Sequence, residues 1–165
     1  MANYEGNRGV PPNLPTPPQR PTAPASVLTA AKLMYAGAAL SVVTLLLGTT
    51  QKDAIRKAVV AQNPGYTATQ VNTAATFFLV FSAVIGIIAV GLWLWMAAAS
   101  KQGQTWARVV STVLFGLDTL GLIYILVGAG YTAIQKVLGV VVWLVALGAV
   151  AFLWRSESSA YFNAT

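Results

Sequence analysis

Trp93-Leu-Trp-Met-Ala-Ala-Ala-Ser-Lys-Gln-Gly-Gln-Thr-Trp-Ala-Arg108 decides how the chain is read. A long apolar run enters this stretch from Val71, and another leaves it from Val109. Between them Ser100, Lys101, Gln102, Gly103, Gln104 and Thr105 form a short polar turn. Trp93, Trp95 and Trp106 flank the turn, and Lys101 and Arg108 give it positive charge. Tryptophan collects where hydrocarbon meets headgroups, and Lys/Arg in short loops collect on the cytoplasmic side. The stretch predicts a transmembrane helical hairpin with its turn in the cytoplasm.

Composition extends that reading to the whole chain. Of 165 residues, 56% are hydrophobic and 8% charged, where a soluble domain carries about 25% charged residues. The length accommodates about four spans of ~20 residues with their loops. The net charge is +6, but the basic residues are scattered singly, so anionic headgroups explain it better than nucleic acid does. There is no Cys and no His, which removes thiol chemistry and the usual zinc sites. The polar, proline-rich start shows no cleavable signal pattern.

The expected fold is an all-α membrane protein: an up-down four-transmembrane-helix bundle with a disordered proline-rich N-terminal tail. The tail is residues 1–25, which hold Pro11, Pro12, Pro15, Pro17, Pro18, Pro21 and Pro24 and too few apolar side chains to offset ordering. Pro15-Thr-Pro-Pro18-Gln-Arg20 matches a P-x-x-P-x-R recognition pattern, which this composition also produces by chance. The transmembrane domain is 26–155, with spans near 26–48, 72–100, 105–128 and 131–154. Gly37 and Ser41 give the first span a small face for close helix approach.

The longest loop, 49–71, reads as outer. Asp53 to Gln62 has the pattern of a short surface helix, and Thr67-Ala-Thr-Gln70 is a capping box. The second helix therefore begins near Ala68, outside the bilayer. Gly128-Ala-Gly130 is a tight outer turn, and 156–165 a short cytoplasmic tail. Six basic residues (Arg8, Arg20, Lys32, Lys101, Arg108, Arg155) fall on the inner side and four (Lys52, Arg56, Lys57, Lys136) on the outer. That bias places both termini in the cytoplasm. The interface anchors are Trp93, Trp95, Lys101, Trp106, Arg108, Trp154 and Arg155.

Three blocks carry a resemblance: Gly91-Leu-Trp-Leu-Trp-Met-Ala97, Gly103-Gln-Thr-Trp-Ala-Arg-Val-Val-Ser-Thr-Val-Leu-Phe-Gly-Leu117 and Trp154-Arg-Ser-Glu-Ser-Ser-Ala-Tyr-Phe162. They resemble uncharacterised small four-span integral membrane proteins of actinomycete bacteria. The resemblance covers roughly 26–162. It implies a bacterial plasma-membrane location and four spans, and it transfers no catalytic or ligand residue.

Catalytic chemistry is sparse. The acids are Glu5, Asp53, Asp118 and Glu157, and no two share a helix as a catalytic or metal-bridging pair. No phosphate loop or dinucleotide fingerprint is present. The reading is therefore not an enzyme, with no metal and no cofactor. Asp118 is the exception to this blandness, because an ionisable residue at mid-span is costly and marks function by default. Ser111 and Gly121 share its face. It either fastens the bundle as a hydrogen-bonded acid, with Ser41 or the Trp143 indole as partner, or handles protons or cations.

The leading expectation is a non-enzymatic plasma-membrane accessory or interaction protein, embedded in the lipid bilayer. A protein partner would dock on the 1–25 tail or the 49–71 loop. The alternative is a small transporter or ion-coupled carrier, a homo-oligomer that uses Asp118.

Overall fold

The computed structural model describes residues 22–128 and 131–164. Among them run six helices: α1 (Ala25–Thr49), α2 (Lys52–Gln62), α3 (Ala68–Lys101), α4 (Thr105–Val127), α5 (Ala133–Leu153) and α6 (Ser156–Ala164). Helices α1, α3, α4 and α5 are long and apolar enough to cross a membrane. The chain is an all-α, multi-pass membrane protein built on four spans. The proline-rich stretch lies outside the described residues up to position 21, and so do Ala129 and Gly130 of the expected outer turn.

Local sequence sets the helix ends. At the start of α3 the Gln70 N–H donates to the Thr67 hydroxyl, and the Thr67 N–H donates to Gln70 Oε1 at 2.8 Å. Two donors that a helix start leaves orphaned are thereby satisfied. Thr132 and Gln135 repeat this box at the start of α5, a signal equally visible in the sequence. Helix α3 has 34 residues, about 50 Å at ~1.5 Å per residue. Its first turns carry α2, which packs against them. Gly103, at φ 73°, makes the turn to α4 in a region that side-chain-bearing residues avoid.

Spatial order differs from chain order. Helix α1 lies between α3 and α5, and α5 lies between α1 and α4, so the row reads α3–α1–α5–α4. The hairpin partners α3 and α4 share few contacts. Small residues set the close pairs, as expected where no water drives helices together. A Cβ on Gly37 would stand 2.8 Å from the Trp93 ring, and one on Gly86 would stand 3.0 Å from Leu45 Cδ1. Gly148 meets Leu33 between α5 and α1, and Gly139 meets Leu122 between α5 and α4.

Packing is uneven along the bundle. The core gathers at the end that holds the α3–α4 turn, where Val27, Ala30 and Met34 meet Met96, Ala97, Ala107 and Leu153. Toward the α2 end the buried apolar side chains are Val59, Val71 and Ala75. Phe77, Phe81, Ile87, Leu120 and Val127 lie exposed along the spans, as suits faces turned to lipid.

The segment after Trp154 is not a loose tail. It forms α6, with Ser158, Tyr161 and Phe162 buried against the bundle. Ser158 Oγ lies 2.7 Å from the Phe152 carbonyl and 2.9 Å from Ser26 Oγ. A hydroxyl has one proton, so Ser158 donates to the carbonyl and Ser26 donates to Ser158. Tyr161 donates to the Lys101 carbonyl and Thr105 donates to that of Phe162. Helix α6 thus closes the turn end of the bundle by gripping the turn itself.

Candidate functional site

The departure of α4 from α3 leaves a cleft with a volume of about 170 Å³. Helix α3 forms one wall with Leu92, Trp93 and Met96. Helix α4 forms the other with Ser111, Leu114, Phe115 and Asp118. Met34 of α1 and Ala146 and Ala149 of α5 make the floor. The wall is apolar except for Ser111 and Asp118, which project from one face because their offset of seven residues is two helical turns.

Both polar groups lack partners. Ser111 is 7% exposed, and its Oγ has no hydrogen-bond partner among the described residues. Asp118 Oδ2 is likewise buried and unpartnered. Four span hydroxyls behave differently: Ser41, Thr44, Thr112 and Thr119 each donate to the carbonyl four residues back. That back-bond is the usual remedy for a hydroxyl in a helix. Leaving a buried hydroxyl unpaired costs about 1–3 kcal/mol. Ser100 Oγ is also buried and unpaired, but it does not line the cleft.

The partners expected for Asp118 are engaged elsewhere. The Trp143 indole N–H donates to Thr119 Oγ1 at 2.9 Å, one residue along from the acid. Ser41 donates to the Gly37 carbonyl at 2.9 Å. Gly121, on the Asp118 face, has nothing within 4 Å of where a Cβ would stand, so no helix among the described residues closes on the acid there. Among the described residues no Lys or Arg lines the cleft; Lys136 Nζ donates to the Leu126 carbonyl at 2.8 Å. Lys101 sits 5.9 Å above the Tyr35 ring.

The expected interface anchors divide into two groups. Trp95 and Trp106 lie exposed beside the turn, with ring centroids 5.2 Å apart, and Trp106 donates to Gln104. Trp154 is exposed and donates to Thr112. Arg155 lies 4.9 Å from the Phe152 ring. Trp93 instead turns inward, against Gly37 and into the cleft. Arg108 stacks 4.2 Å from Trp154 and 5.7 Å from Phe162, and its Nη1 donates to Ser159. The Trp106-Ala107-Arg108 block and the Trp154–Phe162 block, remote in sequence, therefore form one cluster at the turn end.

Sequence reasoning found Asp118 and placed Ser111 on its face. It missed Met34, Met96, Leu114 and Phe115 as cleft residues. Their signal is ordinary apolar periodicity, which does not distinguish a cleft wall from a core. No protein-family model, characterised protein or solved structure matches this chain.

Proposed function

We propose that this chain is a non-enzymatic accessory protein of the bacterial plasma membrane that receives a membrane-dissolved guest in the α3–α4 cleft. The observation that carries the reading is the cleft itself, apolar apart from Ser111 and Asp118, whose Oγ and Oδ2 have no hydrogen-bond partner among the described residues. Binding pockets commonly combine apolar walls with a few polar groups that fix orientation. Both termini lie on the cytoplasmic side in this reading, supported by Trp95, Trp106, Lys101, Arg108 and Arg155 around the turn end. The plasma-membrane assignment rests on the resemblance of the three sequence blocks. Exposed Lys52, Lys57 and Val60 on α2 offer a separate surface to a protein partner.

Photo-crosslinking with a diazirine-bearing alkyl chain tests this. Adducts on Met96 and Leu114 should saturate and yield to unlabelled competitor. Labelling confined to lipid-facing side chains such as Phe77 and Leu120, without saturation, would contradict a guest site.

Asp118 supports a second reading, a small carrier working as a homo-oligomer. An ionisable group inside a span commonly marks an ion or substrate path. Guest-driven proton movement in proteoliposomes separates the two: a carrier shows it, and an accessory binding protein does not.

A further inference from the structure

We infer that the cleft guest is a cationic amphiphile, with its ammonium on Asp118 and a polar substituent on Ser111. This rests on the guest-site reading and adds the chemical class of the guest. Asp118 and Ser111 both line the cleft, and Oδ2 of the one and Oγ of the other have no partner among the described residues. Ser111 is more than nine-tenths buried, so its unused hydroxyl is not a surface accident. An acid in apolar surroundings gains most from a charged donor, because charge-assisted hydrogen bonds are about twice as strong as neutral ones. Among the described residues no such donor lines the cleft: Lys136 donates to the Leu126 carbonyl, Lys101 lies over Tyr35, and Arg108 stacks on Trp154. Trp93 and Phe115 add aromatic surface, which also favours a cation.

Size argues for a small molecule over a partner helix. A helix with side chains is about 10–12 Å across. A dry cavity of about 150 Å³ takes a single benzene ring, and this one measures about 170 Å³. The guest therefore places one ring or an equivalent branched group inside. Its alkyl chain leaves between α3 and α4 into the lipid. Asp118 and Ser111 stand about 10 Å apart along α4, seven residues at ~1.5 Å each, so the ammonium and the substituent lie at opposite ends of that group.

The test compares three probes on the full chain in zwitterionic nanodiscs, corrected for uptake by empty discs. The probes are N-dodecylbenzylamine, its neutral analogue N-benzyldodecanamide, and the amine with a para-hydroxymethyl group. The amine should bind about tenfold or more tighter than the amide, the range of a hydrogen bond to a charged group. Asp118→Asn should bring the two within about threefold of each other. Amide binding that survives in this variant shows that it is folded. The hydroxymethyl group should add about threefold in the native chain and nothing in Ser111→Ala.

Equal binding of amine and amide, unchanged by Asp118→Asn, overturns the inference but leaves an apolar guest site standing. Failure of all three probes to bind overturns both. A hydroxymethyl gain that persists in Ser111→Ala overturns the role of Ser111. If Asp118→Asn splits a homodimer or releases a co-purifying protein while amine and amide bind alike, the acid serves a partner helix and the inference fails.

Discussion

Gly37→Ala tests the α1–α3 contact that shapes the cleft. The added Cβ would stand 2.8, 2.9 and 2.9 Å from three atoms of the Trp93 ring. Ordinary carbon contacts begin near 3.5 Å, so the helices must part or the indole must turn away. Overpacking of this kind costs about 1–3 kcal/mol. Replacing glycine inside a helix returns about 0.5–1 kcal/mol. The net expectation is a loss of about 0–2.5 kcal/mol, read by reversible unfolding in mixed micelles. Gly121→Ala is the control, because nothing lies within 4 Å there; it should be neutral or stabilising. Trp93→Leu should suppress the Gly37→Ala penalty, with a coupling of about 0.5 kcal/mol or more. Trp93 also lines the cleft, so an indole pushed off α1 moves into the guest's space, and amine binding should fall alongside stability. Gly37→Ala that stabilises as much as Gly121→Ala would refute the argument.

Phe162→Ala should destabilise by about 3 kcal/mol or more, since Phe162 is 2% exposed beneath the bundle; a near-zero change in the same micelle assay would mean that α6 is a loose tail. Trp143→Phe removes the indole bond to Thr119 and should cost about 0.6–1.7 kcal/mol, the range for interhelical hydrogen bonds in membranes, whereas Trp143→Phe combined with Thr119→Val should cost little more than either alone. For orientation, the chain has no cysteine, so single cysteines label cleanly. Cysteines at Gln102 and Asn163, both exposed, should resist impermeant reagents on intact cells while one at Gln62 reacts, and the reverse pattern would invert the topology. Ser158 is unsuitable for this experiment because it is fully buried.

The spans were legible because they rest on local chemistry. Apolar runs, the Thr67–Gln70 box and Gly103 each state a helix, its start or its turn without help from distant residues. Helix α6 was not legible, because Ser156-Glu-Ser-Ser-Ala-Tyr-Phe-Asn-Ala164 is short and polar. Its burial comes from Ser26, Lys101, Thr105 and Arg108, which approach from other helices. Asp118 stood out by its cost in a span, but its surroundings depended on which helices neighbour each other. Short loops favour the pairing of consecutive helices, yet Gly37, Gly86, Gly139 and Gly148 draw α1 between α3 and α5 and draw α5 against α4. That choice parts the hairpin, takes Trp143 to Thr119, and leaves Asp118 facing a cleft.

Disulfide trapping across that cleft is the most direct test, since everything proposed for Asp118 requires α3 and α4 to stand apart. A disulfide needs Cβ atoms about 3.5–4.5 Å apart. Leu45→Cys with Gly86→Cys spans the α1–α3 contact, where a Cβ on Gly86 would stand 3.7 Å from the Leu45 Cβ; this pair should oxidise readily in membranes. Ala89→Cys with Leu114→Cys joins opposite walls of the cleft and should stay reduced under the same oxidant, yet link through a longer bis-maleimide. Rapid, complete oxidation of the Ala89–Leu114 pair would show α3 and α4 packed together and would contradict the cleft.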